Sequence, residues 1–279
     1  MNSLTKAPLP PRFSSPGLLS SFGTILFFLF VLVSFNGIQG GLFGVDIELE
    51  GVGVSLSGLI EGLPAMGRIL GEMYPPAIER IGSVSFALLI TLQMAVVGCV
   101  LGVLISIPLG VAASSTQTPN KVTYGIARGI VSLFRTVPDL IWAIFFVISV
   151  GLGPFAGTLA LMVDTIGFCG RFFAEAIEEV DSGPVDALRV IGARRLGVLH
   201  TAVFPAALPS FVTSALFSLE KAVRSSVVLG LVGAGGIGVE LKVAMDMFRY
   251  AEAATIIGLI FLLVVVVEQV SAAIRRKVM

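Results

Sequence analysis

Residues 19–38, 84–112, 132–150, 154–173, 206–231 and 253–273 form six apolar runs, each close to or beyond the ~20 residues that cross a hydrocarbon core as a helix. Nothing else in the chain restricts its fold as much. Lipid offers no water to unpaired backbone N–H and C=O groups, so a spanning segment must satisfy them internally, as a helix, or in a closed barrel. Runs of this length, without the alternation of a barrel strand, read as helices. The expected fold is an all-α integral membrane protein with about six transmembrane helices. Composition agrees, because only 13% of the 279 residues are charged. That is about half the share found in soluble domains and too little to cover a soluble globule of this size.

Several classes of function are disfavoured at once. The formal net charge is zero and the isoelectric point lies near 6.6, so no overall basic field points to nucleic acid. Cys99 and Cys169 both fall inside apolar runs, where a cysteine packs as a small hydrophobe. The single histidine, His200, excludes a His-rich metal site, and no metal site is expected. Residues Met1 to Pro16 carry Lys6 and Arg12 ahead of the first run, with no clear small-residue cleavage site behind it. This reads as a retained anchor rather than a removed signal peptide. The expected organisation is a cytoplasmic tail over 1–18, an anchor over 19–38, an extracytoplasmic segment over 39–80 and a helical core over 81–279.

Lysine and arginine set the orientation. With both termini inside, the cytoplasmic side collects Lys6, Arg12, Lys121, Arg128, Arg135, Arg171, Arg189, Arg194, Arg195, Arg275, Arg276 and Lys277. The outside keeps Arg68, Arg80, Lys242 and Arg249. A bias of twelve to four satisfies the positive-inside rule. It leaves Lys221 and Arg224 within a span.

Two segments mix apolar and charged residues at helical spacing and are expected to lie at the interfaces. Gly58 to Pro76, with Leu59, Leu63, Met66, Ile69, Leu70 and Met73, belongs to the outer face, and Lys121 to Phe134 to the inner face. The third span would then begin at "RTVPDL", where Pro138 restricts Val137 and marks a kink or entry point.

A third charged stretch, Val185 to Ser210, lies in the cytoplasm between the fourth and fifth spans. In "DSGPVDALRVIG", Asp181 or Ser182 can cap a helix, Pro184 suits its first turn, and Gly192 stands where a left-handed cap is wanted. Val185, Leu188 and Ile191 make its apolar face. A second helix, "ARRLGVLHTAVF", is expected to run to Pro205, carrying Arg194 and Arg195 near its start.

The pattern Asp186-Ala187-Leu188, three residues, Gly192, nine residues, Ala202-Val203-Phe204-Pro205 resembles the EAA loop of the type I, binding-protein-dependent permeases of ABC importers. The usual form is Glu-Ala-Ala, three residues, Gly, nine residues, Ile, any residue, Leu-Pro. The spacing matches throughout, and Asp186, Leu188, Ala202 and Phe204 depart in residue type. Within that family, "FRTVPDLIWAIFFV", "GLGPFAGTLAL", "FFAEAIEEVDSGPVDALR" and "VLGLVGAGGIG" together resemble the permeases of phosphonate importers, from about residue 58 to the C-terminus. The resemblance implies an inner-membrane permease with a coupling loop over 174–205. It implies a homodimer, two cytoplasmic ATPase subunits and an extracytoplasmic binding protein. ATP and magnesium would be used by the ATPase, with no cofactor on this chain. The implied cargo is a phosphonate or related oxyanion, such as phosphite or a phosphate ester. Methionine, a quaternary amine or another small solute is the alternative within transport.

Charges inside the runs are candidates for a translocation path, because ionisable groups in lipid line a watery route or pair with one another. They are Arg135, Asp139, Asp164, Glu220, Lys221 and Arg224. Glu220 and Arg224, four apart, share a helix face and form either a structural ion pair or part of that path. Asp139 can serve freed backbone groups or pair with Arg135, Asp164 can face Lys221 or Arg224, and Glu268 is expected to snorkel or pair locally. Finally, Gly233, Gly235, Gly236 and Gly238 fit G-x-G-x-x-G, the fingerprint of a dinucleotide-binding oxidoreductase. The charges upstream do not suit a buried strand and no second βαβ unit follows, so these glycines are read as a re-entrant turn at the outer face.

Overall fold

The computed structural model describes residues 23–29 and 56–278. By contact density the chain divides into two units, Met1–Arg68 and Ile69–Met279. In the first, residues 23–29 are helical. The rest of the 19–38 run, and the tail before it, lie outside the described residues. Helix α1, Leu56–Glu72, crosses the division between the units. Leu63, Met66 and Leu70 are exposed along it.

The second unit holds eight helices: α2 Ile81–Ala113, α3 Lys121–Thr136, α4 Asp139–Val150, α5 Pro154–Glu178, α6 Ser182–Val190, α7 Arg195–Leu231, α8 Ile237–Asp246 and α9 Tyr250–Val278. No strand occurs among the described residues. Helices α2, α7 and α9 are each long and apolar enough to cross a membrane, and α3 with α4 passes the same test as a pair bent by 91°. Helix α5 is not among these. It is nevertheless the centre of the unit, packed by α2, α3, α4 and α7. Small residues permit the approach. A Cβ added to Gly102 of α2 would meet Thr165 Cβ of α5 at 2.5 Å, the close backbone packing that membrane helices favour.

Proline acts differently at two breaks. Pro138 has no N–H and drives Val137 out of the helical region, to φ −79° and ψ 121°. The expected third span is therefore two helices. Lys121–Phe134 lies within α3, where Ala127 packs with Ala174 and Val131 stands over Gly170. Helix α3 thus runs antiparallel along α5. At Pro205 the helix continues instead. A π-helical turn over Leu199–Val203 absorbs the missing N–H, and Arg195–Leu231 is one helix of 37 residues. The second helix of the 185–210 stretch, expected to stop at Pro205, runs straight into the fifth span.

The glycine turn between α7 and α8 has three left-handed residues, Gly233, Gly235 and Gly236, with φ of 88°, 86° and 75°. The N–H of Ile237 donates to Thr91 Oγ1 at 2.7 Å, and that of Gly153 to the Gly233 carbonyl at 3.1 Å. Thr91 is ten residues into α2, which at 1.5 Å per residue is about 15 Å from its N-terminal end. The turn therefore packs against α2 well inside that end. Val227–Leu229, the strand a dinucleotide site needs, is helical.

Candidate functional site

The hairpin formed by α6 and the start of α7 is built from its caps. Asp181 Oδ1 accepts the Gly183 N–H at 3.1 Å and starts α6. At the other end Gly192, with φ 80°, donates to the Arg189 carbonyl, and Ala193 donates to that of Leu188, both at 3.0 Å. This pair of bonds is a Schellman motif. Val185 is buried among Phe173, Ile177, Val198, Val203 and Phe211, with Leu188 packed at the edge. Ile191 is not on that face. The Schellman turn swings it outward, and it is 77% exposed beside Val190 at 86% and Leu196 at 72%. Asp186 and Ala187 are also exposed, Asp186 pairs with Arg189 at 3.2 Å, and Arg194 projects freely. Arg195 Nη2 donates to the Thr118 carbonyl at 2.6 Å, tying the hairpin to the α2–α3 loop. Pro205 lies within α7, just beyond the π-helical turn.

The charges of the fifth span do not pair with each other. Glu220 accepts from Arg275 at 2.7 Å, Lys221 donates to Asp164 at 2.7 Å, and Arg224 donates to Glu268 at 2.6 Å. Three successive cross-links thus clasp α7 to α5 and α9. Glu220 is turned into the bundle, where α9 supplies the nearer guanidinium, stacked 4.5 Å from the Phe217 ring centroid. The side chains of Lys221, Arg224 and Glu268 stay open, at 43%, 53% and 43% exposure. Glu268 pairs across the bundle rather than locally. Asp139 Oδ1 accepts the Leu140 N–H at 2.9 Å, serving backbone freed at the break, and among the described residues Arg135 has no ion pair.

Sequence reasoning missed Arg275, which the cationic C-terminal end of α9 hides among snorkelling charges. It also missed the clasp in which Glu178 accepts from Arg128 at 2.9 Å and from the Ser115 N–H at 2.7 Å. No spacing signal marks either one, since the partners are 55, 50 and 63 residues apart.

Comparison with known proteins decides the class. The family described as "Binding-protein-dependent transport system inner membrane component" matches residues 102–278. This chain belongs to that family. It is a translocation component of the inner membrane and not an enzyme. A phosphite transport system permease protein of Stutzerimonas stutzeri is 38% identical over 218 residues, covering 78% of this chain and 79% of that protein. A phosphate-import permease protein of Mycolicibacterium smegmatis is 38% identical over 215 residues, 77% of this chain and 40% of that one. Among solved structures, a chain of the methionine ABC transporter in an inward-facing conformation superposes with a TM-score of 0.65 at 26% identity. It covers 73% of this chain and 99% of that one.

Proposed function

We propose that this family member is the permease subunit of an ATP-driven importer for a phosphorus oxyanion of the phosphite or phosphonate type. The likeness to a phosphite permease over most of both chains carries the reading. In it, two copies of the chain enclose the path, two ATPase subunits supply ATP hydrolysis with magnesium, and a binding protein delivers the solute. Asp186, Ala187, Leu188, Gly192, Arg194, Arg195 and Pro205 belong to the ATPase-coupling hairpin, and the Schellman cap and exposed apolar tip support this role. Residues 1–18, 19–38 and 39–80 serve as tail, anchor and outer segment to a core over 81–279.

Asp164, Glu220, Lys221 and Arg224 carry the path, with Asp139 at the α3–α4 break. Half-open side chains at Lys221 and Arg224 favour this assignment, because lipid would leave such charges unsolvated. Each cation already has a carboxylate, so an anion meets weak, exchangeable contacts rather than a tight site. Gly233, Gly235, Gly236 and Gly238 form the re-entrant turn beside that path. The superposition on a methionine transporter favours a second reading, import of an amino acid. Radiolabelled uptake into cells carrying the complete importer, competed with phosphite, methylphosphonate, phosphate and methionine, separates the two. Competition by the phosphorus compounds is expected. Competition by methionine alone defeats the proposal.

A further inference from the structure

Three arginines converge on a cavity that neither the coupling hairpin nor the α7 cross-links use. Arg128, Ser132, Arg135 and Thr136 stand at i, i+4, i+7 and i+8 along α3, one stripe of that helix. Gly167 of α5 lets the stripe come close, since a Cβ there would lie 2.7 Å from the Arg135 backbone nitrogen. Arg171, one turn further along α5, then joins it. With Val131 these side chains line a cavity of about 280 Å³, roughly ten times the ~30 Å³ of one water.

The charges in this cavity are not balanced. Arg128 pairs with Glu178 and donates to the Ala113 carbonyl, and Arg171 pairs with Glu175. No carboxylate lines the cavity. Arg135, without an ion pair among the described residues, therefore leaves one guanidinium uncompensated beside two others and the Ser132 hydroxyl. A planar guanidinium fork matches two oxygens of a tetrahedral oxyanion, and the unpaired fork of Arg135, beside the Ser132 hydroxyl and the remaining donors of Arg128 and Arg171, offers that match.

We propose that the Arg128–Arg135–Arg171 cavity binds a phosphate-type oxyanion, free or borne on an anionic lipid headgroup. The site does not rest on the identity of the transported solute, because inorganic phosphate and lipid both serve as probes. The importer is purified with its partners in phosphatidylcholine nanodiscs and titrated with inorganic phosphate, with binding read by ³¹P NMR line broadening. In parallel, native mass spectrometry reads phosphatidylglycerol retained after extraction from membranes containing it. Losing one charge-assisted fork is expected to weaken binding about tenfold in Arg135→Gln, while Arg135→Lys keeps most of it. Arg276→Gln, outside the cavity, changes nothing. Loss in the phosphate arm identifies a free anion, and loss in the lipid arm identifies a headgroup. If Arg135→Gln alters neither arm, or Arg276→Gln alters them equally, the site does not exist.

Discussion

The buried carboxylate of Glu220 and the guanidinium of Arg275 depend on each other. Glu220 is 7% exposed and Arg275 is its ion-pair partner. Removing one member of such a pair strands the other and costs about 3–5 kcal/mol, whereas replacing both with groups of similar volume costs little. Arg275→Met should therefore lower the melting midpoint of the solubilised protein sharply, and Glu220→Gln added to it should restore most of the loss. The half-open Arg224–Glu268 pair has the opposite profile. A pair this exposed contributes about 0–1 kcal/mol, so Arg224→Met with Glu268→Leu should melt near the parent. Uptake by that variant should nevertheless fall to a small fraction, because an anion would cross an apolar constriction with nothing to replace its water. Normal uptake would remove Arg224 from the path, and failure of the Glu220/Arg275 double variant to recover would mean that the pair is not what holds α7 to α9.

Among the elements, α6 ends at a single left-handed residue. Gly192 holds φ 80°, a conformation that proline, fixed near −65°, cannot adopt and that a side chain enters at about 1–2 kcal/mol. Gly192→Pro would break both Schellman bonds and re-aim Val190, Ile191 and Leu196, while α7, anchored by Val198 and Val203, stays in place. The variant should reach the membrane at normal levels yet lose uptake and the ATPase stimulation given by the binding protein, both read in proteoliposomes. Full stimulation would show that the hairpin does not couple. This element was legible before the structure, because caps are local: Asp181, Pro184 and Gly192 act through backbone atoms within a few residues. The course of α7 was not. Pro138 breaks a helix and Pro205 does not, since Val198, Val203 and Ala207 all bury in one cluster and hold a single axis through the π-helical turn.

At the level of the whole molecule, the lysine and arginine bias predicts that α8 and the α6 hairpin lie on opposite sides of the membrane. Single cysteines introduced as Lys242→Cys and Arg194→Cys, with Cys99 and Cys169 replaced, should react with an impermeant thiol reagent from opposite sides. Both positions are exposed, and both native cysteines are buried. Labelling from one side only would overturn the inferred topology. The same view explains the large apolar side chains left open on α2, α4 and α9, such as Leu104, Ile148 and Phe261. In lipid or against a second copy, these surfaces incur no hydrophobic penalty.

The run of apolar residues by itself determined that the chain is helical and lives in a membrane, because backbone satisfaction in lipid admits few alternatives. Cap and break positions at Asp181, Gly192 and Val137–Pro138 were equally local. The tertiary structure alone decided which charge meets which. Glu220 and Arg224 share a helix face, yet each turns to a partner on α9, 55 and 44 residues away, and Lys221 to one 57 residues away on α5. Which helix stands opposite a side chain depends on the small residues that let α2, α5 and α7 close together and on the glycine turn, held on Thr91, that positions α8 and α9. Electrostatic pairing follows distance in space, and distance in space is a property of the packed bundle rather than of any one of its helices.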